Sequence, residues 1–200
     1  MDSTTVSRKT LLDYLATVPD FRRAEGKRYQ LSALLVMSIM AIMSRCFGYR
    51  EIARFLKANQ SALVETFQLK RNKMPSHVTI RTVLINLDFK SVSAVFSQWV
   101  TDCHPVKPES WVSIDAKALA STIVSYDSAY QDFVSFVSAF AQQENIVIAV
   151  QRFQNKESSD IEVARELIRV LTEVLGLTGV TFTLDALHCQ KNVTANPPKW

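Results

Sequence analysis

Two prolines, Pro105 and Pro108, fall inside the run Cys103-His-Pro-Val-Lys-Pro-Glu-Ser110 and divide the chain into stretches with different hydrophobic periods. Before this run, apolar residues recur at the three- and four-residue spacing of helices. After it, β-branched and aromatic residues gather in short stretches with the two-residue rhythm of strands. The run reads as a linker, and the chain is expected to form a helical domain over 1–104 and a strand-containing domain over 105–200. Two hundred residues, 48% of them apolar, are enough to bury a core in each.

In the first stretch Leu11, Leu12, Leu15 and Val18 mark a helix that ends at Pro19. Leu31 to Met43 is a thirteen-residue apolar run with two serines. That is short of the roughly 20 residues needed to cross a bilayer, so it is expected to be a buried helix. Four further helices follow from Ile52, Ala53, Phe55 and Leu56; from Leu63 and Phe67; from Ile80, Val83, Leu84 and Leu87; and from Val92, Val95, Phe96 and Trp99.

In the second stretch Trp111–Ile114, Phe133–Phe140 and Ile146–Phe153 read as strands, with Gln142-Gln143-Glu144-Asn145 at a hairpin turn. Ser159 and Glu162 make a capping box. Ile161, Ala164, Leu167, Ile168, Leu171 and Leu175 then form one apolar helix face that stops at Gly176. Val180, Phe182 and Leu184 alternate with polar residues as a fourth strand. The expected fold class is therefore α+β, a helical N-terminal domain followed by an incomplete RNase H-like β-β-β-α-β domain.

The net charge of +4 conceals an asymmetry: residues 1–110 carry +7 and residues 111–200 carry −3. A basic front half suits contact with phosphates, whose neutralisation releases condensed counterions, and an acidic back half suits metal binding. Ordinary solvated charge is the competing reading. The opening MDSTTVSRKT has no apolar signal core, and Cys46, Cys103 and Cys189 are odd in number with no framework spacing. A reducing cytoplasm and no membrane association are expected.

Aspartate is disfavoured within strands, yet Asp115 follows Trp-Val-Ser-Ile and Asp185 follows Val-Thr-Phe-Thr-Leu. Alternation puts Asp115 with Ser113 and Trp111, and Asp185 with Thr181 and Thr183, each away from its strand's aliphatic face. Neighbouring strands would then bring both carboxylates to one site whose hard oxygen ligands favour Mg²⁺ or Mn²⁺. Such a pair suits in-line phosphoryl transfer, which normally uses a third carboxylate as well. Two unrelated strand-end turn formers would give the same pattern.

In the basic half, Tyr49-Arg-Glu-Ile-Ala-Arg-Phe-Leu56 and Met74-Pro-Ser-His-Val-Thr-Ile-Arg-Thr-Val-Leu84 look like the two elements of a helix-turn-helix. Ser76 would cap the later helix and leave His77 and Arg81 exposed near its start. Lys70, Arg71 and Lys73 would hold phosphates, with Arg50 and Arg54 as further DNA contacts. A bundle helix with a solvated basic face fits the same residues. Cys103-His104 and His188-Cys189 lack zinc-ligand spacing. With four glycines and no G-x-S-x-G, P-loop or G-x-G-x-x-G, serine hydrolase, NTPase and dehydrogenase readings drop out.

At these residues the sequence resembles the ISAs1 family of insertion-sequence transposases. The similar segments in the first half are Asp20-Phe-Arg-Arg-Ala-Glu-Gly-Lys-Arg-Tyr29 with Leu31–Leu35, Tyr49–Ala53, and Pro75–Arg81 through Leu87-Asp88. In the second half Ile114-Asp-Ala-Lys117 is similar to the family's D-G-K motif, with Ala116 in place of the glycine. Val137–Phe140 is similar to its second strand, and Leu184-Asp-Ala186 with Gln190-Lys191 to its D-A-x-x-x-Q motif. Glu157-Ser-Ser-Asp-Ile161 stands where the family has K-S-N-E-I.

The resemblance implies a DDE mechanism with Asp115 and Asp185 as the first two ligands of Mg²⁺ or Mn²⁺, and Lys117 and Gln190 nearby. It implies DNA, in the form of transposon terminal inverted repeats, as the partner, together with a second copy or an intact transposase. Family members continue into a region that supplies a catalytic Glu, whereas no acidic residue follows Asp185 here. The expectation is a C-terminally truncated DNA transposition protein, catalytically incomplete. The alternatives are a DNA-binding or dimerising fragment that inhibits the intact transposase, and an inert product that aggregates.

Overall fold

The computed structural model describes residues 9–123 and 132–185, which group into two compact units, Met1–Val95 and Phe96–Trp200.

The first unit is helical. Helix α1 (Leu11–Leu15) starts at a reciprocal cap in which Thr10 Oγ1 accepts from Asp13 N and Asp13 Oδ2 accepts from Thr10 N. Helix α2 (Leu31–Met43) supplies the centre of the core through Leu31, Ala33, Leu34, Leu35, Met37 and Ala41. Ser38, buried on the same helix, donates to Leu34 O at 2.8 Å, so no polar group is stranded there. The run expected to be buried is covered only in part, because Met43 at its end is 80% exposed.

Helices α3 (Tyr49–Ala58), α4 (Gln60–Thr66) and α5 (His77–Ile85) close the core with Ile52, Leu56, Leu63, Ile80 and Val83. Helix α6 (Phe89–Cys103) adds Val92 and Val95 to this core, while its Phe96, Trp99 and Val100 belong to the core of the second unit.

The second unit is a four-stranded sheet in the order β3-β2-β1-β4, formed by β1 (Trp111–Ala118), β2 (Val134–Ala141), β3 (Ile146–Gln154) and β4 (Thr181–Leu184). The pairs β1–β2 and β2–β3 are antiparallel and β1–β4 is parallel. Strand alternation sends Val112 and Ile114, with Val137, Ala139 and Ala141, into the core. A bulge opposite Ala139/Phe140 puts Ile148 and Ala149 both inside.

Helix α7 (Asp160–Arg169) packs Val163, Ala164 and Leu167 against this face. Its capping box is the expected one: Ser159 Oγ accepts from Glu162 N and Glu162 Oε2 accepts from Ser159 N, both at 3.3 Å. The expected single helix instead loosens into a π-helical turn, Val170–Val174, which keeps Leu171 buried, before Gly176 at φ +69° ends it. The molecule is thus α+β, with the β-β-β-α-β order expected from sequence.

Among the described residues no helix is long and apolar enough to cross a membrane.

Candidate functional site

The face of the sheet opposite α7 carries Trp111, Ser113, Asp115 and Lys117 from β1, Phe136, Ser138 and Phe140 from β2, and Thr181 and Thr183 from β4. In the parallel β1–β4 pairing the last registered partners are Ser113 with Thr183 and Ile114 with Leu184. Asp115 is the next residue of β1 after Ile114, and Asp185 is the next residue of the chain after Leu184. Both carboxylate residues are exposed.

Asp115 does not end its strand. Strand β1 continues to Ala118 because Ala116, Lys117 and Ala118 remain paired with Val137, Phe136 and Ser135 of β2. Asp185 directly follows the last residue of β4.

A polar chain holds the two strands in register just before the carboxylates. Ser113 Oγ and Thr183 Oγ1 are 3.0 Å apart, and Gln142 Nε2 donates to Ser113 Oγ at 2.6 Å. The hairpin turn between β2 and β3 supplies more than that glutamine. Gln143 Oε1 accepts from Trp111 N at 2.8 Å, and Ser110 Oγ donates to Glu144 Oε1 at 3.3 Å. The turn thereby clamps the start of β1, a role that its polar composition alone did not reveal.

Lys117 lies on the same face as Asp115, two residues along β1, and is exposed. Gln190, His188 and Cys189 lie outside the described residues. Among the described residues no group of three or more His, Cys, Asp or Glu side chains is placed to hold a metal ion. Cys103 and His104 border a depression of about 580 Å³ with Glu109 and Glu144 and form no such group. The donor set at Asp115 and Asp185 is all carboxylate and hydroxyl oxygen, which fits Mg²⁺ or Mn²⁺ and not a soft, thiolate-preferring ion.

The cations of the first unit gather around the start of α5. Ser76 caps this helix by accepting from Thr79 N at 3.3 Å. Arg50, Arg54 and Lys57 occupy one stripe of α3 at i, i+4 and i+7, opposite buried Ile52 and Leu56. With Lys73 and His77 they line a cleft of about 680 Å³. Gln60 braces its rim by donating to Asn72 Oδ1 at 2.9 Å.

A second depression, about 630 Å³, takes in Arg28, Arg71 and Lys73. Tyr29 Oη donates to Lys73 O at 2.9 Å and ties its two sides together. Lys70 and Arg81 are exposed but line neither cleft. Lys57, Gln60 and Arg28 were missed from sequence. The four- and three-residue steps from Arg50 to Arg54 to Lys57 were the available signal.

Helices α3 and α5 pack directly on each other. Helix α4 and the loop to Ser76 lie between them in sequence, so they are not joined by the three- or four-residue turn of a simple helix-turn-helix.

Comparison with known proteins places these observations among transposase relatives. Residues 12–100 match the family model described as "DDE_Tnp_1-associated". The chain is 28% identical over 186 residues to "Putative protein YbfL" and, over the same length, 28% identical to "H repeat-associated putative transposase YhhI", both of Escherichia coli K12. Each alignment covers 92% of this chain and 47% of the relative. The "Putative transposase YncI" of the same organism is 27% identical over 191 residues, covering 95% of this chain and 73% of the relative. The chain thus carries a DDE-transposase-associated N-terminal domain and is homologous to H-repeat transposase relatives, and it spans about half the length of the first two.

Proposed function

We propose that this chain is a DNA transposition protein of the DDE class, of the ISAs1 type, in which Asp115 and Asp185 are two of the divalent-metal ligands. The observation that supports it is the parallel β1–β4 register, which runs to Ile114–Leu184, the residues immediately before Asp115 and Asp185. The homology to transposase relatives supports the same lineage. In this reading Asp115 and Asp185 hold Mg²⁺ or Mn²⁺, which supplies activation of the attacking oxygen and stabilisation of the leaving one during DNA strand cleavage and transfer.

The protein's own part is positional. The Ser113–Thr183 contact and the Gln142 hydrogen bond to Ser113 link β1, β4 and the β2–β3 turn just before the two aspartates. Lys117 stands two residues along β1 from Asp115, and Gln190 lies outside the described residues. In the first unit Arg50, Arg54, Lys70, Arg71, Lys73, His77 and Arg81 face the DNA, with transposon terminal inverted repeats as the proposed target.

DDE chemistry uses three acids, and Asp115 and Asp185 are the two that this reading assigns. A second reading, favoured by the concentration of cations around α5, is a non-catalytic chain that dimerises or occupies DNA ends and so inhibits an intact transposase.

Mn²⁺ titration followed by electron paramagnetic resonance tests the metal assignment. Asp115→Asn and Asp185→Asn are each expected to weaken binding by roughly tenfold or more, the scale on which even outer-shell changes act. Equal Mn²⁺ binding by the wild type and both variants would remove the site, and DNA binding without any metal binding would select the second reading.

A further inference from the structure

We propose that α5 reads duplex DNA from the major groove while the depressions on its two flanks each grip one of the two phosphate backbones. This rests on the DNA-directed reading above and adds which helix enters the groove and which further residues hold the backbone.

The outward face of α5 is His77, Val78, Arg81, Thr82 and Ile85, at helical spacing opposite buried Ile80 and Val83. Val78 is 59% exposed and Ile85 52%. Two aliphatic side chains left in water beside an imidazole, a guanidinium and a hydroxyl make a mixed surface. It suits base edges, where polar groups meet ring nitrogens and carbonyls and aliphatic groups meet the thymine methyl.

The segment Lys73–Ser76, directly before α5, borders both clefts. Arg50, Arg54 and Lys57 stand in one, and Arg28 and Arg71 in the other. Among the described residues none of these five is in an ion pair; the salt bridges run from Arg22 and Lys27 to Asp20 and from Arg169 to Glu166 and Glu173. Glu25 is the one carboxylate on either lining. Cations in the two depressions that meet at the start of α5 suit a groove about 12 Å wide with a backbone on each bank. A single strand would call for a series of rings on which successive bases stack, and the outward face of α5 offers the His77 imidazole alone.

The test is fluorescence anisotropy on the full chain in EDTA, with a random-sequence duplex of about three helical turns. Lys57→Ala and Arg28→Ala, taken from opposite clefts, should each reduce the slope of log affinity against log salt by about 0.9. Selection from a randomised duplex pool should enrich a motif. Val78→Ala and Thr82→Ala should lose roughly five- to tenfold in preference for that motif over the random duplex. Both substitutions are at the surface, and unchanged thermal unfolding verifies folding.

A slope that moves for only one of the two cation variants would overturn the proposal. So would tighter binding of a single strand of the same length, or the absence of an enriched motif. Because metal is excluded, a failed Asp115/Asp185 site leaves these readouts unaffected, and their failure leaves the Mn²⁺ result standing.

Discussion

Ser113 and Thr183, seventy residues apart, meet across the parallel β1–β4 pair with their hydroxyl oxygens 3.0 Å from each other. Ser113 also accepts from Gln142, so its loss breaks two contacts and the loss of Thr183 breaks one. Thr183→Val, which keeps the β-branched shape, is expected to cost about 0.5–1.5 kcal/mol and Ser113→Ala more. Urea unfolding measures both, and a costlier Thr183→Val would refute this ordering.

Asp20 and Arg22 organise the turn before α2. Asp20 Oδ1 accepts from Arg22 Nε and Asp20 Oδ2 from Arg22 Nη2, both at 2.9 Å, while Arg22 also donates to Tyr29 O and Gly26 O. The Arg22 side chain is 7% exposed, so the pair is not a freely solvated one. Asp20→Asn should cost about 1.5–3 kcal/mol near neutral pH.

The same hydrogen bonds from Arg22 hold the Asp20 carboxyl below its ordinary value, with burial opposing and Lys27 assisting. A depressed folded pKa stabilises the fold above the unfolded value of about 3.9, and the benefit fades as pH falls from there through the folded value. The gap between wild type and Asp20→Asn should therefore be full at pH 6 and narrow on acidification below about pH 4. A gap that stays constant down to pH 2.5 would contradict the assignment.

Gly176 and Gly179 both have positive φ, at +69° and +66°, but their surroundings differ. A Cβ on Gly176 meets nothing within 4 Å, whereas one on Gly179 would lie 3.3 Å from Pro108 Cβ. Gly176→Ala should cost about 1–2 kcal/mol from backbone strain, and Gly179→Ala more because Pro108 must also give way. Thermal unfolding of the two variants checks the order.

Leu171 is fully buried on the π-helical turn. Leu171→Ala should destabilise by about 2–5 kcal/mol, depending on how far the loosened turn collapses into the space. Chemical denaturation gives the value, and a loss below about 1 kcal/mol would mean that the turn refits without it.

Much of the fold was legible because its signals are local. The apolar run of α2 has the same limits in sequence and structure, Leu31–Met43, and Ser159 with Glu162 marked the start of α7. The π turn at Val170–Val174 was not legible, since its residues keep the apolar spacing of an ordinary helix. The extent of β1 past Asp115 was hidden for a different reason. Ala116-Lys117-Ala118 has weak strand preference and is held extended by pairing with β2.

For the candidate site, alternation gave the face of Asp115, whereas the register of β1 against β4, Ser113 with Thr183, is fixed by pairing between strands far apart in sequence. Around α5, Lys73 and His77 could be read from their proximity to the helix start. Arg28 and Lys57 come from segments distant in sequence and join through packing.

The parallel geometry of β1 and β4 also sets an order of events during synthesis. Antiparallel β2 and β3 can zip together as soon as their short turn emerges, but a parallel partner needs a long crossover, and β4 reaches β1 only after the intervening helix has been made. On the ribosome, Asp115 therefore waits alone through most of the domain's production. The place beside β1 that β4 occupies is thus filled only after β2, β3 and α7 have been made.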